Sequence, residues 1–419
     1  MARFVLTTFG SFGDLHPYIA VALALRSRGH HVTVVASEAY RLKVESEGLG
    51  FHPCPPDLTQ FLDDPEAFRM AMHPRLGTQY ILTKMVLPYL RQSYHATLDA
   101  CQDADLIVSH LLSFATPLAA EKLGKRWVQA ALQPMAYMST EEPMMHPAFS
   151  FLSPLHAVSP AFYRKIFQAL AGVSRFWARP IHRLRQELGL PPSRQNPLLE
   201  GMFSPHGNQS WFSRHFAPPL SDWPAGSEPL GFPFYDQLIA GQPLPPGLQA
   251  FLDAGEPPVV FTLGSAAVMT AGPFYTEALK AVEMLGCRAV MLVGVFGRNP
   301  LPPVSSKVFV GDYAPYSAVF PRALATVHQG GVGTTAQALR SGHPTVIVPF
   351  SHDQPDNAAR CVRLGVGRTV SRAKYSARTI AEALRGIDAL APRARELGAH
   401  IASEDGLTRI CEGLEAHLK

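Results

Sequence analysis

Residues 324–357 decide the fold, because the segment HQGGVGTT at 328–335 separates a strand-like run from a helical pattern. The apolar residues before it are typical of a buried strand, and residues 335–341 have helical spacing. Glycines allow the backbone to approach a ligand closely, and the first N–H groups of the next helix point toward that ligand. We therefore predict an anion site with phosphate as its natural occupant, since a simple tight turn would need only one or two glycines.

The same segment also matches the dinucleotide-binding fingerprint G-x-G-x-x-A, through Gly331, Gly333 and Ala336. Asp353 follows Gly331 by 22 residues, near the separation expected of an acid that binds ribose. A NAD-dependent oxidoreductase is therefore an alternative. Two observations weigh against it: the fingerprint normally opens a nucleotide-binding domain, and residues 349–352 separate Asp353 from the preceding strand.

Strands and helices alternate through two regions of the chain. The predicted strands lie at 4–8, 32–35, 105–109 and 127–130, and again at 259–263, 289–293, 307–310, 324–328 and 345–349. This pattern predicts an α/β fold with two Rossmann-like, doubly wound domains that face each other across a cleft and bind ligands at the carboxyl ends of strands. The expected boundaries are an N-terminal domain at 1–226, a linker at 227–246, a C-terminal domain at 247–395 and a terminal helix at 396–419. For that helix, packing against the N-terminal domain is one option.

A second loop with chemical potential, GSFGDLHP at 10–17, follows the first strand. It brings a carboxylate, Asp14, and an imidazole, His16, to the end of a strand, where ligands of such sheets bind. Two interpretations stay open for Asp14, because it could also cap a helix that begins near Pro17. His16 is equally compatible with a structural role.

Polar side chains also gather behind strand 345–349, in the segment PFSHDQPDN at 349–357. A carboxylate beside an amide can both accept and donate hydrogen bonds, which suits a ligand with vicinal hydroxyl groups. Helix capping by Asp356 would explain part of this cluster. Ser265 follows Gly264 at the end of strand 259–263, in another small-residue turn that suits phosphate.

Composition excludes several classes of protein. A chain of 419 residues with 47% hydrophobic and 17% charged residues is globular, with two or three domains. The net charge of +4 does not by itself indicate a nucleic-acid partner. No apolar run reaches the roughly 18 residues of a membrane span, so we expect no transmembrane segment. Five scattered cysteines favour free thiols and a cytoplasmic location, and the 17 histidines lack metal-binding spacing, so we predict no metal site.

Residues 162–185 mix basic and aromatic side chains. Such mixtures can bind nucleic acid or lie on a membrane surface, although a solvated helix over an apolar groove is the commoner case. We expect this stretch to serve a hydrophobic ligand and not nucleic acid. Peripheral contact with a membrane stays an alternative.

Together these motifs resemble those of the family 1 glycosyltransferases of the two-domain GT-B fold, over nearly the whole chain. The sequence is similar in particular to bacterial rhamnosyltransferases of the rhamnolipid type and to antibiotic and sterol glycosyltransferases. The resemblance lies in GSFGD at 10–14, in APP, DWP and GFP between 217 and 233, in VFTLGS at 260–265, and in residues 328–357. It implies an inverting, metal-independent transfer of a hexose, rhamnose or glucose, from a dTDP- or UDP-sugar to a hydroxyl of a hydrophobic acceptor. The acceptor would be a lipid, a phenolic compound or another natural product, and no bound cofactor is implied.

The resemblance also assigns roles to residues. Asp14 falls on the proposed catalytic base, with His16 as the second catalytic candidate. Asp353 and Gln354 fall on the pair that holds sugar hydroxyls, and His110 is assigned to the acceptor. The other expected donor contacts are Ser11, Ser265, Tyr313, Ala314, His328, Gln329, Gly331, Gly333, Thr334 and Gln337.

Three of these positions depart from the family pattern. Gln337 stands where a ribose-binding Glu is usual, and Tyr313 stands where plant members have Trp. Gln329, and not His328, takes the place of the phosphate-binding His of plant members, so which of the two meets the diphosphate stays open. A nucleotide-binding protein without enzymatic activity is the remaining alternative.

Overall fold

The computed structural model describes residues 1–418 apart from 63, 144, 147–148, 236–243 and 295–298. The chain divides into two compact units. Unit 1 comprises Met1–Ala71, Arg75–Pro233 and Asp405–Lys419, and unit 2 comprises Met72–Pro74 and Phe234–Glu404.

Unit 1 is built on a six-stranded parallel sheet. Its strands are β1 (Arg3–Thr7), β2 (His31–Ala36), β3 (Gly50–Pro53), β4 (Leu106–His110), β5 (Trp127–Ala131) and β6 (Asn208–Ser210). They pair in the order β3-β2-β1-β4-β5-β6. Every residue of β4 and β5 is buried, as parallel sheets covered on both faces require.

The first ten helices among the described residues belong to the same unit, and the unit 2 residues Met72–Pro74 lie between α4 and α5. They are α1 (Phe12–Ser27), α2 (Arg41–Ser46), α3 (Thr59–Leu62), α4 (Pro65–Ala71), α5 (Gly77–Tyr80), α6 (Leu90–Ala100), α7 (Ala115–Leu123), α8 (Ser153–Val158), α9 (Pro160–Val173) and α10 (Arg179–Glu187). A π-helical stretch, Ile81–Val86, continues α5. Helices α6, α7 and α10 share one apolar cluster with residues 82–87, which includes Leu90, Leu118 and Ile181.

Unit 2 repeats the architecture with a second parallel sheet. Its strands are β7 (Val259–Thr262), β8 (Ala289–Leu292), β9 (Val308–Gly311), β10 (Ala325–His328), β11 (Thr345–Ile347) and β12 (Gly367–Thr369), in the order β12-β11-β10-β7-β8-β9. Its helices are α11 (Leu248–Asp253), α12 (Gly264–Ala267), α13 (Phe274–Leu285), α14 (Tyr316–Val319), α15 (Val332–Arg340), α16 (Gln354–Arg363), α17 (Ala377–Leu384) and α18 (Ala391–Ser403). Neighbouring residues of β7 point to opposite faces: Phe261 packs in the cluster of α13 and α17, and Val260 in the cluster of Phe320 and α15. Both predicted Rossmann-like sheets are confirmed.

The last helix, α19 (Gly406–Ala416), belongs to unit 1. It packs on α1, and Glu415 accepts hydrogen bonds from Arg28 Nε and Nη2 at 2.8 and 2.7 Å. The expected single helix at 396–419 is therefore two helices in different units. Asp405 separates them, because its side chain accepts a hydrogen bond from Thr408 N (3.2 Å) and so starts α19.

The boundary between the units also differs from the expected one. Unit 1 continues to Pro233, beyond the expected limit at 226, because the backbone after Ser227 still bonds to this unit. Leu230 N donates to Ser210 O (2.9 Å) and Gly231 N to Phe212 O (3.1 Å). Of the expected linker at 227–246, residues 236–243 lie outside the described residues.

Two general properties follow from the described residues. No helix among them combines the length and the apolar character that a membrane crossing requires. All five cysteines are free thiols.

Candidate functional site

In each unit the strand order reverses beside the first strand, between β1 and β4 in unit 1 and between β7 and β10 in unit 2. At such a switch point, adjacent loops leave the sheet in opposite directions and open a crevice at the carboxyl ends of the strands. The singled-out residues follow these strands. Asp14 comes after β1, His110 ends β4, Ser265 comes after β7, and residues 328–334 follow β10. The topology therefore provides one candidate site in each unit.

Asp14 belongs to the N-terminal cap of α1. This helix begins at Phe12 with Ser11 as its N-cap residue, so the expectation that it begins near Pro17 is wrong. Ser11 Oγ accepts from Gly13 N (3.1 Å), and Asp14 Oδ2 accepts from Ser11 N (2.8 Å). This capping box satisfies the first donors of the helix and fixes its start. It also occupies Ser11, which the resemblance assigned to the donor.

Only one carboxylate oxygen of Asp14 is used by the cap. The other, Oδ1, lies 3.5 Å from His110 Nε2, and the His110 side chain is only 2% exposed. At that distance the pair is an electrostatic contact and not a hydrogen bond, and His110 Nε2 has no hydrogen-bond partner among the described residues. Leu112 N donates to His110 Nδ1 (3.3 Å), so a neutral ring carries its proton on Nε2, facing Asp14. The buried His110 ring therefore lies beside the carboxylate oxygen of Asp14 that the cap leaves unused, and its expected contact with the acceptor stays a prediction.

Tyr18 completes this cluster one helical turn after Asp14. Its ring meets the His110 ring edge-on at 5.9 Å, and its hydroxyl is buried without a partner among the described residues. Burial and the nearby Asp14 charge raise the pKa of Tyr18 well above its ordinary value. Sequence reasoning missed Tyr18, because an aromatic residue at helical spacing looks like any core residue.

His16 lies elsewhere on α1. Its ring is 5.2 Å from that of Phe12, and its electrostatic neighbours are Lys43 and Glu47, beside α2. Burial, helped by Lys43, lowers the pKa of His16 to about 4, so the imidazole is neutral at pH 7. Asp14 and His16 therefore occupy different surroundings, and only Asp14 faces His110.

Apolar side chains surround the carboxyl ends of β1 and β4. Phe9, Leu112 and Phe114 line a small space there together with Pro56 and Leu90. Its volume of about 30 Å³ equals the space that one water molecule takes up in the liquid. An apolar ligand would therefore lie over this surface and not inside it.

A larger cavity of about 1280 Å³ lies along edge strand β6. Aromatic residues Tyr137, Phe167, Phe203 and Trp223 line it, and the buried Trp223 Nε1 has no hydrogen-bond partner among the described residues. Most of its lining comes from residues 136–226.

In unit 2 the turns after β7 and β10 touch each other. Gly264 has φ +63, and a Cβ there would lie 2.4 Å from Gln329 Nε2 and 3.3 Å from Thr334 Oγ1. The Tyr316 hydroxyl is hydrogen-bonded to Thr262 Oγ1 (2.9 Å) and lies near the Thr334 side chain. These contacts bring Gln329 and Thr334 together beside the exposed Ser265. Tyr316 carries no motif, so the sequence did not indicate it.

Helix α15 begins directly behind this junction. Its N-cap residue, Gly331, provides no side-chain hydrogen bond, and no acidic residue lies in its first turn. Gly333 is exposed with open space around its Cα, while Thr334 is buried. A helix of nine residues with an uncapped N-terminus presents free N–H groups and partial positive charge to an anion.

His328 lies beneath the glycine segment and is fully buried. Gly330 N donates to His328 Nδ1 (3.0 Å), and burial lowers the pKa of this imidazole to about 3. Gln329 is also buried, and its Oε1 has no partner among the described residues. His328 Nε2 likewise has no partner among the described residues, so each of the two side chains keeps one polar atom for a ligand.

The polar segment after β11 joins the same site through Asn357. Its Nδ2 donates to Gly330 O (2.8 Å) and to Asp353 Oδ2 (2.7 Å). Gln354 Oε1 accepts from Phe350 N (2.8 Å) and Ser351 N (3.1 Å), so only its amide nitrogen remains for a ligand. Sequence reasoning quoted Asn357 without giving it a role. Asp356 pairs with Arg360 (2.8 Å) inside α16.

The remaining predicted donor residues lie around this centre. Tyr313 is 44% exposed, with its ring 6.4 Å from that of Tyr316, whereas Ala314 is fully buried. Gln337 lies one turn beyond Thr334 on α15, and its Oε1 accepts from Arg340 Nη2 (2.8 Å). Within the described residues, no three side chains of His, Cys, Asp or Glu could together hold a metal ion.

Comparison with known proteins identifies the family. The chain is 32% identical, over 99% of its length and 97% of the relative's, to an O-mycaminosyltylonolide 6-deoxyallosyltransferase of Streptomyces fradiae. The chain belongs to the family 1 glycosyltransferases of GT-B fold. Residues 4–132 of this glycosyltransferase match the glycosyltransferase family 28 N-terminal domain, and residues 279–416 match the C-terminal domain of erythromycin biosynthesis protein CIII-like proteins.

One further relative and one solved structure are also similar to this chain. The glycosyltransferase is 27% identical to a sterol 3-beta-glucosyltransferase of Arabidopsis thaliana over 99% of this chain, and it spans 66% of that relative. Among solved structures, the glycosyltransferase VinC in complex with dTDP has a TM-score of 0.70 at 19% identity, with 99% of each chain covered. Family membership decides against the oxidoreductase and non-enzymatic alternatives.

Proposed function

We propose that this glycosyltransferase moves a hexose from a dTDP- or UDP-sugar to a hydroxyl of a hydrophobic acceptor, with inversion at the sugar carbon. The observation that carries the proposal is the uncapped N-terminus of α15 beside Gln329 and Thr334, which suits a diphosphate. The dTDP in the VinC complex supports the nucleotide. Rhamnose is the preferred sugar on the sequence resemblance, with glucose as the alternative.

Asp14 is the proposed general base. Its Oδ2 is held by the cap, so the carboxylate has a fixed orientation, and Oδ1 is the oxygen that remains for an acceptor proton. Inversion requires the acceptor oxygen to attack C1 from the face opposite the leaving diphosphate, while the base removes its proton. General-base assistance of this kind typically contributes about 10²–10⁴-fold in rate.

The departing nucleoside diphosphate gains negative charge, and backbone groups would stabilise that charge. The N–H groups at the start of α15 and the small-residue turn at Gly264 would donate to the phosphate oxygens, with Thr334 as the nearest hydroxyl. Asp353 and the free amide nitrogen of Gln354 would hold the sugar hydroxyls. Tyr313, which is exposed, would stack on the base.

The hydrophobic nature of the acceptor is supported by two observations. Apolar residues Phe9, Leu112 and Phe114 lie at the strand ends beside Asp14, and the relatives named above act on a tylonolide derivative and on sterols by their names. We propose a natural product or a lipid as acceptor.

Calorimetry and turnover together test the proposal. The purified chain should bind dTDP or UDP with micromolar affinity, at least tenfold more tightly than thymidine or uridine, and should not bind NAD. A panel of dTDP-rhamnose, dTDP-glucose and UDP-glucose, offered with a hydroxylated fatty acid, a sterol and a flavonoid, should give a glycoside of inverted anomeric configuration. Equal binding of nucleoside and nucleotide would refute the diphosphate site, and a product with retained configuration would refute the mechanism.

A further inference from the structure

One segment of unit 1 carries a concentrated positive charge. Residues 143–186 contain no Asp or Glu, although the chain has 33 acidic residues, and they contain six Arg or Lys. The net charge of the whole chain is only +4, so the rest of the protein is slightly acidic. Neither the proposed donor site nor Asp14 uses this segment.

Helix α9 in this segment has apolar side chains on its exposed side as well as on its buried face. Its buried side chains are Tyr163 and Phe167. Beside that buried face runs a second apolar stripe, spaced at three and four residues, which continues into the 3-10 turn after α9 and consists of Phe162, Ile166, Ala169, Val173 and Phe176. The exposed fractions of Phe162, Val173 and Phe176 are 54%, 62% and 61%. A helix that only covered a core would show polar residues there.

Cations flank this stripe. Lys165 and Arg175 are exposed, and the guanidinium of Arg179 lies 4.4 Å above the Phe176 ring. Among the described residues, no hydrogen bond or ion pair engages the side chains of Lys165, Arg175 or Arg183, whereas Arg185 pairs with Glu121 (2.6 Å). The positive groups beside the stripe are thus available to an outside partner.

The partner must offer negative charge and accept apolar side chains over the whole length of the stripe. An anionic lipid surface does both, because phosphate headgroups lie directly above the acyl chains. A second copy of this face would repel the first, since both are positive. Nucleic acid would satisfy the cations but would leave the aliphatic side chains in water. At 14 residues, about 21 Å, α9 is too short to cross a bilayer and long enough to lie along one.

We propose that the apolar stripe of α9, with Lys165, Arg175 and Arg179, binds the surface of an anionic lipid membrane. Phe162, Val173 and Phe176 enter the headgroup region, and the cations contact lipid phosphates. The binding is peripheral and independent of the sugar donor, so it stands or falls separately from the proposed reaction.

Flotation of the full chain with lipid vesicles tests this. Vesicles of phosphatidylcholine with 30% phosphatidylglycerol should bind the protein at least tenfold more tightly than pure phosphatidylcholine, and 0.5 M NaCl should weaken the binding. The double variants F162S/F176S and K165E/R175E should each lose at least tenfold in vesicle affinity. Matched controls are Met284→Ser, with the same 54% exposure as Phe162, and Arg395→Glu, an exposed cation of α18; both should bind as the unmodified chain does.

Several outcomes would overturn the proposal. It fails if anionic vesicles do not bind the unmodified chain, or if Met284→Ser and Arg395→Glu lose affinity as strongly as the stripe variants. It also fails if F162S/F176S instead abolishes a dimer seen in sedimentation, or if single-stranded RNA binds more tightly than the vesicles. Circular dichroism of each variant checks folding, and retained turnover on a water-soluble acceptor would show that the stripe variants lost only lipid binding.

Discussion

Nε2 of His110 lies 3.5 Å from Oδ1 of Asp14, while Oδ2 of the same carboxylate accepts from Ser11 N at 2.8 Å. One oxygen is therefore fixed by the start of α1, and the other is held near a buried imidazole whose proton faces it. Capping and catalysis, which competed as interpretations of the sequence, are compatible uses of one side chain because they use different oxygens.

Asp14→Asn should lower kcat by about 10²–10⁴-fold, because an amide can keep the cap but cannot take a proton. Dissociation constants for dTDP or UDP should change less than twofold. His16→Ala should cost at most a few-fold in kcat, since His16 faces Lys43 and Glu47 and not His110. Steady-state kinetics with saturating donor measure both. An active Asp14→Asn together with an inactive His16→Ala would make His16 the base.

Gly10→Ala should inactivate the Asp14 site, although it changes no side chain with a proposed catalytic role. Gly10 has φ +135, and a Cβ there would lie 2.2 Å from Asp14 Oδ2. The carboxylate would have to move, so kcat should fall at least tenfold while nucleotide affinity stays constant. Gly29→Ala is the matched control, because Gly29 has φ +88 with nothing within 4 Å of the added methyl group. Equal losses in the two variants would mean that backbone strain alone is responsible.

Gly264→Ala tests the junction of the two turns in unit 2. The new methyl group would meet Gln329 Nε2 at 2.4 Å, so we expect dTDP or UDP to bind at least tenfold more weakly. Gly286→Ala has nearly the same backbone strain, with φ +62 against +63, and open space around it. Its affinity should match the unmodified chain, at a cost in stability of about 1 kcal/mol. Calorimetry measures the nucleotide affinity of both variants. Similar affinities would show that Gln329 does not belong to the nucleotide site.

Asp353→Asn and Gln354→Glu should separate the sugar from the nucleotide. Each change keeps the side-chain oxygen that bonds internally, Asp353 Oδ2 with Asn357 and Gln354 Oε1 with the backbone of 350–351. Asp353→Asn removes the carboxylate charge, and Gln354→Glu replaces the amide nitrogen, the two groups proposed to hold sugar hydroxyls. Turnover should fall tenfold or more while affinity for free dTDP or UDP stays within twofold. A parallel loss of nucleotide affinity would show that Asp353 binds ribose.

His328→Asn should make the free energy of unfolding less sensitive to pH below about 6.5. The pKa of His328 is about 3 in the folded chain and about 6.5 when unfolded, so between these values the unfolded chain binds one more proton. The free energy of unfolding therefore falls as the pH drops through this window, by about 1.4 kcal/mol per pH unit from this residue. Asn keeps an acceptor for Gly330 N but does not titrate.

Denaturant unfolding at pH 7, 6 and 5 measures the difference between the two chains. Circular dichroism is the suitable signal, because all four tryptophans lie in unit 1 and fluorescence would not report on unit 2. Identical pH dependence in both chains would contradict the burial of a neutral imidazole.

The sequence predicted the central strands and one edge strand, β9, but missed the other three edge strands. Strands such as β4 and β7 are apolar runs bounded by polar residues, so their pattern is local. The three missed strands, β3, β6 and β12, are short edge strands with sequences GFHP, NQS and GRT. They have no hydrophobic alternation, and only pairing with a neighbour makes them strands.

The residues of the candidate site were likewise predicted only in part from the sequence. Loop motifs indicated Asp14, Thr334 and Asp353, because glycine segments and polar clusters after strands can be recognised in the sequence alone. Asn357 and Tyr316 were not assigned, because their importance lies in which distant backbone or hydroxyl they reach. The burial of His328 and the separate surroundings of His16 likewise depend on packing.

The return of α19 to α1 has a consequence for synthesis on the ribosome. The sheet of unit 1 is translated first, but the helix that carries Ile410, Leu414 and Glu415 emerges only after all of unit 2. Until then α1 and the residues Arg28 and His30 that follow it lack their partner and stay open to chaperones or to premature association. The part of the protein that is made first is therefore the part that is finished last.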